Sequence, residues 1–331
     1  MPGKQLLADY GLRVPFVGAG MAFISTPPLV AAVSNAGGLG VLGVGAAPPP
    51  GLREMIRGTR ALTSKPFGVD LLNATSAMGP FATDAHIEVC AAEQVPLVVF
   101  FWNTPSSSWV QQLHATGAKV WMQVGSVPEA VEAAEAGVDG IVAQGSEAGG
   151  HNKSVAPLPE LLPAVINAVR PLLVLAAGGI ASAGAASAAL NAGADGVWVG
   201  TRLVASHEAY AHDDYKQRII DAPSVGATAR TTMFGPEWPG QPIRVLRNRI
   251  VAEWAGREDE IAAAPPPPVT IGTIPLGGTP YPMPKFSAMV PTPDTTGDLE
   301  EMCMPAGEGV ARIDTIEGAA DIVDEMMAAV V

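Results

Sequence analysis

Short runs of branched and aromatic residues alternate with alanine-rich stretches from residue 14 to about residue 204. Strands buried on both faces have such continuous apolar runs, and the stretches between them have the length of crossover helices. This alternation predicts a parallel sheet in an α/β fold. The eight predicted strands are Val14–Gly18, Gly40–Gly43, Phe67–Asp70, Leu97–Phe101, Val120–Val124, Gly140–Ala143, Leu173–Ala176 and Gly196–Val199.

A glycine recurs where a predicted helix meets the next strand, as in Ala136-Gly137-Val138-Asp139-Gly140 and Ala192-Gly193-Ala194-Asp195-Gly196. Glycine suits the left-handed residue that ends a helix, where a Cβ is strained. The two copies lie two repeats apart, with about 28 residues in each repeat, which is the size of one strand and one helix. Eight such units, with no Gly-x-Gly-x-x-Gly after the first strand, favour a closed (β/α)8 TIM barrel over a doubly wound sheet.

The regular alternation ends near residue 225, and we predict three segments. Residues 1–225 form the barrel. Residues 226–304 form a proline-rich excursion that includes Pro265–Pro268 and caps the barrel mouth. Residues 305–331 form a C-terminal segment, in which a helix predicted over Ile313–Ala329 packs back on the barrel.

The composition narrows the classes of partner. Hydrophobic residues make up 48% of the 331 residues and charged residues 15%, so the chain can bury a large core. A net charge of −13 repels phosphate backbones and anionic lipid, which disfavours nucleic acid and membrane surfaces as partners. No apolar run reaches the roughly 18 residues of a membrane helix, and no signal peptide is evident. We therefore expect small-molecule partners.

The cysteines and histidines carry little signal of their own. Cys90 and Cys303 are isolated, which fits a reduced cytoplasmic protein without a disulfide framework. The five histidines show no ligand spacing with the cysteines, so no metal site is predicted. The sequence does not decide the oligomeric state, and a homodimer is compatible with it.

Two glycine loops follow the last two predicted strands, Ala177-Gly178-Gly179-Ile180 and Val199-Gly200-Thr201-Arg202. Barrels commonly bind phosphate with these two loops, because glycines let backbone N–H groups approach the oxygens and a helix start offers unpaired donors. We therefore predict that Gly178, Gly179, Gly200 and Thr201 hold a phosphate group. The residues alone leave open whether the ligand is a sugar phosphate or FMN.

The loop after the sixth strand reads Gln144-Gly145-Ser146-Glu147-Ala148-Gly149-Gly150-His151. It lies at the carboxyl end of a strand, where barrel enzymes keep their catalytic groups. Its glycines allow close approach to a flat ligand, and His151 can exchange a proton near neutral pH. Glu147 is interpreted as a structural partner and not as a second base.

These motifs together resemble nitronate monooxygenases, formerly called 2-nitropropane dioxygenases. The resemblance rests on Gly18-Ala19-Gly20-Met21, the run from Gln144 to His151, the two phosphate loops and Pro242-Ile243-Arg244. It continues to Ala306-Gly307-Glu308-Gly309 and covers most of the chain. FMN-dependent enoyl-acyl-carrier-protein reductases and certain NADH:quinone reductases share much of the same pattern.

The resemblance implies a non-covalent FMN and gives each matching position a role. His151 is the implied catalytic residue, facing the substrate above the flavin. The implied cofactor-binding residues are Ala19, Gly20 and Met21 beside the isoalloxazine, Asn73 and Gln123 at the ring or ribityl chain, Gly145, Gly149 and Gly150 close to the cofactor, and Gly178, Gly179, Gly200 and Thr201 at the phosphate.

The chain departs from the family at two positions. Lys153 stands where the family often has glycine, and Glu308 stands where it often has glutamine. The leading hypothesis is oxidation of an alkyl nitronate by O2 to a carbonyl compound and nitrite. The alternatives are an NAD(P)H-dependent reductase of a quinone or an enoyl thioester, and a phosphate-binding or flavin-binding barrel without redox turnover.

Overall fold

Eight parallel strands close into a barrel in a computed structural model, which describes residues 3–77, 79–223, 225–236, 238–263, 269–276 and 278–330. The strands, numbered here β1 to β8, are Phe16–Gly18, Leu39–Gly43, Phe67–Asn73, Leu97–Trp102, Lys119–Val124, Gly140–Gln144, Leu173–Ala177 and Gly196–Val199. Their order around the barrel is the order in the chain, and β8 pairs with β1. All eight predicted strands are confirmed. The largest differences are at two ends, since β1 begins two residues later and β3 runs three residues further.

A helix follows each of the first seven strands, and one more precedes β1. The preceding helix is Lys4–Tyr10, and the others are Pro27–Asn35, Pro49–Leu62, Asp84–Ala92, Ser107–His114, Val127–Glu135, Leu158–Val169 and Ala183–Asn191. Serine side chains cap several of them, and Ser182 accepts a hydrogen bond from the N–H of Ala185. Gly137 and Gly193 end two helices with φ of +92° and +103°, as the recurring glycine predicted.

The C-terminal helix occupies the place of an eighth outer helix. The short helix Thr201–Val204 and the helix Asp213–Ile220 directly follow β8. Helix Ala319–Met327 packs between the helices that follow β1 and β7. It is shorter than the predicted span of residues 313–329, because its first turn begins after Gly318 and Glu208 Oε2 accepts the N–H of Ala319 at 2.8 Å.

The barrel interior is apolar at its base and polar at its mouth. Helix Lys4–Tyr10 closes the base, where the ring of Tyr10 meets Trp121 edge-on with 5.7 Å between centroids. Alternate strand residues point inward, and Asp70, Gln123 and Gln144 occupy inward positions toward the carboxyl ends of β3, β5 and β6. Their exposed fractions are only 8%, 7% and 6%. A layer of buried polar side chains therefore lies at the carboxyl ends of the strands.

The segment after residue 225 adds irregular structure beside the mouth. Strands Thr228–Thr231 and Ile243–Leu246 pair antiparallel, and the second also pairs with the two-residue strand Gly150–His151. The remaining elements are helices Arg249–Trp254 and Glu258–Ala263, strands Thr270–Leu276, Thr279–Pro284 and Thr296–Gly297, and 3-10 turns Leu299–Glu301 and Glu308–Arg312. Pro265–Pro268 lie outside the described residues. Within the described ranges, no helix has the length and apolar character needed to cross a bilayer.

Candidate active site

The two predicted phosphate loops lie together at the mouth of the barrel. Gly178 and Gly179 adopt φ of +110° and +69°, a region that side chains with a Cβ rarely occupy. A Cβ on Gly178 would stand 3.1 Å from the carbonyl oxygen of Gly145, so the loop after β7 packs against the loop after β6. Both glycines are partly exposed, which leaves their backbone open toward the mouth.

The C-terminal segment completes this glycine-lined wall. The hydroxyl of Thr201 accepts the N–H of Gly307 at 3.0 Å and keeps its own hydrogen for a ligand. A Cβ on Gly149 would stand 2.4 Å from the nitrogen of Gly307. The structure thus brings the loops after β6, β7 and β8 into one wall, although residue 307 is more than a hundred positions from Thr201 in the chain.

The loop after β1 borders the same wall. A Cβ on Gly200 would lie 3.6 Å from Met21 Sδ and 3.7 Å from the Cβ of Ala19. Ser25 fixes this loop, because its hydroxyl donates to the carbonyl oxygen of Ala19 at 2.7 Å and accepts the N–H of Met21 at 3.2 Å. Predicted ring-side and phosphate-side residues are therefore neighbours.

The side chains of Asp70 and Gln123 are buried and face this space. No hydrogen bond reaches the carboxyl of Asp70 or the side-chain amide of Gln123 from the residues that the structure describes. Burial raises the pKa of Asp70 well above its ordinary value. Buried polar groups are nearly always paired, so such a pair at a barrel mouth indicates a polar ligand.

Backbone contacts hold His151 firmly. The residue pairs with Ile243 in the added strand, and Gln144 Nε2 donates to its carbonyl oxygen at 3.3 Å. The next residue, Asn152, is fully buried, and its Nδ2 donates to the carbonyl oxygen of Gly145 at 2.9 Å. The catalytic candidate thus stands on a loop fixed by both β6 and the later strand.

Two indoles flank the imidazole of His151. Ring centroids lie 4.9 Å away for Trp238 and 5.9 Å away for Trp102, and the two indoles are 4.5 Å apart. His151 Nε2 is shielded from solvent and has no hydrogen-bond partner among the described residues. Burial lowers the pKa of His151 to about 4, because desolvation disfavours the imidazolium form. The imidazole is therefore neutral at pH 7.

Lys153 supports the Trp102 wall. Its Nζ donates to the Trp102 carbonyl oxygen at 2.8 Å, lies 5.4 Å from the ring centroid and forms an ion pair with Glu129. Trp102 has φ of +91°, a conformation that residues with a Cβ adopt only when the surroundings hold them there. The lysine that departs from the family pattern thus fixes an aromatic side chain beside His151.

Other predicted residues have structural partners. Asn73 Nδ2 donates to the carbonyl oxygens of Asn103 at 2.9 Å and Thr104 at 3.1 Å, so its amide hydrogens tie down the loop after β4. Its role toward a cofactor stays a prediction. Both carboxylate oxygens of Glu147 accept the N–H of Leu158 at 3.0 Å, which caps the helix after β6. This geometry agrees with a structural role for Glu147.

The Glu308 carboxylate forms an ion pair with Arg244. Its Oε1 lies 3.0 Å from Arg244 Nη2, and the same guanidinium donates to the carbonyl oxygen of Ser146. Its side chain is about half exposed, with 52% of its surface accessible. The carboxylate that departs from the family pattern is therefore charge-compensated at the rim of the site.

Sequence reasoning missed three residues at this site, namely Asp70, Trp102 and Trp238. Asp70 carried a usable signal, since a lone carboxylate in a strand of otherwise apolar residues occupies an inward position by alternation. The two tryptophans carried none, because aromatic residues in a barrel are usually core. Their contact with His151 joins three separate parts of the chain.

A closed barrel with a glycine-lined wall and a histidine at the carboxyl ends of its strands defines the class of (β/α)8-barrel proteins with a candidate active site at the mouth. The profile of one family in this class, Nitronate monooxygenase, matches residues 4–329. The chain belongs to this nitronate monooxygenase family, whose members are flavin enzymes. It is an FMN-dependent oxidoreductase by this membership.

Individual relatives agree with this membership. A nitronate monooxygenase of Paraburkholderia phytofirmans is 33% identical over 293 residues, which cover 75% of this chain and 78% of the relative. The structure of FabK from Thermotoga maritima aligns with a TM-score of 0.78 and 32% identity over 98% of this chain and 94% of its own. A nitroalkane oxidase from Streptomyces ansochromogenes aligns with a TM-score of 0.78 and 26% identity over 98% and 96% of the two chains.

Proposed function

We propose that this protein binds FMN at the barrel mouth and oxidises alkyl nitronates with O2 to a carbonyl compound and nitrite. The observation that carries the proposal is the neutral imidazole of His151, with Nε2 shielded from solvent, beside a glycine-lined wall at the same end of the barrel. The family and its nitronate monooxygenase relatives support the reaction class.

The residues at the mouth fit FMN in both polarity and shape. A Cβ at Gly178, Gly179 or Gly200 would meet the neighbouring loops, so glycine lets these loops pack closely with their backbone N–H groups near a phosphate, and Thr201 adds a hydroxyl. The unpartnered side chains of Gln123 and Asp70 would face the polar edge of the flavin or its ribityl chain. When bound, FMN supplies the redox chemistry between the substrate and O2.

His151 would handle the proton of the substrate. Because its pKa is lowered to about 4, its imidazole is neutral at pH 7 and one of its ring nitrogens is unprotonated and can accept a proton. A neutral nitroalkane would transfer its α-proton to the unprotonated ring nitrogen of His151. A nitronate has already lost that proton, so His151 and the two indoles would only position it.

The test uses the flavin spectrum. Flavin-loaded wild-type protein is mixed with propionate 3-nitronate without oxygen, and we expect the flavin absorption to change and then to recover when oxygen is admitted. His151→Asn is expected to keep its flavin and the nitronate reaction while losing about 100-fold or more in turnover of the neutral nitroalkane. An unchanged wild-type spectrum would overturn the proposed reaction.

The alternative is NAD(P)H-dependent reduction of a quinone or an enoyl thioester. The indoles of Trp102 and Trp238 beside His151 favour a flat, unsaturated substrate such as a quinone. Rapid anaerobic bleaching of the flavin by NADH, followed by reoxidation with a quinone, would support this function. The NADH and nitronate experiments are run on the same preparation, so comparing which compound changes the flavin spectrum decides between the two functions.

The proposed partners are therefore a small organic substrate and O2. A cytoplasmic location and a homodimer remain predictions from the sequence.

A further inference from the structure

Asp70 is a buried acid at the mouth of the barrel. It lies at an inward position of β3 with 8% of its surface exposed, and its Oδ2 would stand 2.8 Å from a Cβ added to Gly20. The absence of a side chain at Gly20 therefore makes room for this carboxyl. No hydrogen bond or cation reaches it from the described residues.

The surroundings do not favour a carboxylate ion at this position. The elements packed most closely against β3 are β2, β4, helix Pro27–Asn35 and the loop Ala19–Met21. None of these four carries a titratable side chain, so none compensates a negative charge. Burial without a counter-charge raises the pKa of Asp70 and therefore favours the neutral carboxylic acid over the carboxylate.

A neutral carboxylic acid and a carboxylate recognise different ligand edges. The carboxylate only accepts hydrogen bonds, whereas the acid donates one through its hydroxyl and accepts others through its carbonyl. The pyrimidine edge of an isoalloxazine presents an N–H between two carbonyl groups, so it offers a donor beside an acceptor. An acid matches both, and it does not repel the ring when reduction makes it electron-rich.

From this position and these surroundings we propose that Asp70 binds the pyrimidine edge of FMN as a neutral carboxylic acid, donating its hydroxyl to a ring carbonyl and accepting the ring N–H. The inference rests on the proposed function, since it requires FMN at the barrel mouth. It gives Asp70 a cofactor-binding role in this chain. An amide of the same size, as in Asp70→Asn, is the nearest chemical equivalent of the neutral acid.

Infrared spectroscopy tests the protonation state directly. At pH 7 the apoprotein is expected to show the carbonyl stretching band of a protonated carboxyl group, which is lost in Asp70→Asn and shifts when FMN is added to the wild type. Asp195→Asn is the matched control, because Asp195 lies at the other end of the barrel and accepts the N–H of Val174. That variant should keep both the band and its shift.

Affinity for FMN, measured by quenching of flavin fluorescence in the apoprotein, tests the hydrogen bonds. Asp70→Asn keeps a donor and an acceptor, and we expect its Kd within about 3-fold of the wild type. Asp70→Val has a similar shape without either group, and we expect about 10-fold or weaker binding. Circular dichroism checks that each variant is folded.

The outcomes separate this inference from the proposed function. If FMN binds neither the wild type nor any variant, the proposed function fails. If FMN binds but the wild type lacks the protonated-carboxyl band, if the band does not move with FMN, or if Asp70→Val binds as tightly as the wild type, the inference is wrong and the proposed function stands.

Discussion

Trp238 shields the imidazole of His151, and its removal should return that imidazole to ordinary acid–base behaviour. The indole centroid lies 4.9 Å from the imidazole centroid, and Nε2 has neither solvent nor a described partner. In Trp238→Ala, water would reach Nε2 and stabilise the imidazolium form. The pKa of His151 should therefore rise from about 4 toward its ordinary value of 6.5.

The size of the effect follows from this difference in pKa. In the native state, protonation of His151 costs about 3 kcal/mol more than in water, at about 1.4 kcal/mol for each unit of pKa. Full hydration of the imidazole would remove this cost. The native state holds His151 neutral while the unfolded chain binds a proton, so stability is lost as the pH falls from 6.5 to about 4. The variant should lose less stability over this range, even though its absolute stability at pH 7 is lower.

The assay is an NMR titration of the imidazole C–H resonances between pH 4.5 and 8, with the His151 signal assigned by its absence from His151→Asn. The wild-type signal should stay at its neutral position over most of this range, whereas the Trp238→Ala signal should titrate. Trp238→Phe keeps an aromatic shield, and Trp109→Ala removes an indole that stacks on Phe100 away from the site. Neither control should change the titration. A wild-type midpoint near 6.5, or a Trp238→Ala signal that does not titrate, would refute the reasoning.

Three further substitutions test other parts of the site. Gly178→Ala places a Cβ on a residue with φ of +110°, which should cost about 1–2 kcal/mol of stability and weaken FMN binding about 10-fold. The control Gly184→Ala, in the adjacent helix, should leave FMN binding unchanged and add about 0.5 kcal/mol of stability. FMN titration measures the binding, and urea unfolding measures the stability. Lys153→Met removes the donor to the Trp102 carbonyl oxygen at 2.8 Å and should cost about 1–2 kcal/mol in urea unfolding while changing tryptophan emission, and unchanged emission would contradict the supporting role. Asp70→Asn should raise the melting temperature of the apoprotein above pH 4, because folding of the wild type must protonate this acid and folding of the variant need not. The difference in melting temperature between variant and wild type should grow with pH until Asp70 ionises in the folded protein. A difference independent of pH would contradict the buried neutral acid.

The barrel could be predicted from the sequence because its signals are local. Each strand is a short apolar run, and each join carries a glycine such as Gly137, whose φ of +92° a single position specifies. The end of β3 could not be placed from the sequence, because the apolar pattern resumes at Leu71 and Leu72 after the polar Asp70. The eighth outer helix could not be placed from the sequence, since Ala319–Met327 reaches its position by contacts with helices far away in the chain.

The candidate site likewise has a part that local motifs predict and a part that depends on distant contacts. Most of its phosphate side consists of loops directly after β6, β7 and β8, so Gly178, Gly200 and Thr201 could be proposed from motifs alone, whereas the contribution of Gly307 could not. Its other side depends on which strand residues point inward and on what the segment after residue 225 contributes, as Asp70 and Trp238 illustrate. Neither position is marked by a motif.

This division has a consequence for how specificity is built into the fold. The wall that would hold the phosphate is fixed by backbone packing between neighbouring loops, for example where Gly149 meets Gly307, and leaves no space for side-chain variation. The wall around His151 is made of side chains, and Trp238 comes from the irregular segment. Substitutions in that segment would therefore change what reaches Nε2 without disturbing the cofactor cradle, which explains physically how one barrel could serve both nitronate oxidation and reduction of a flat acceptor.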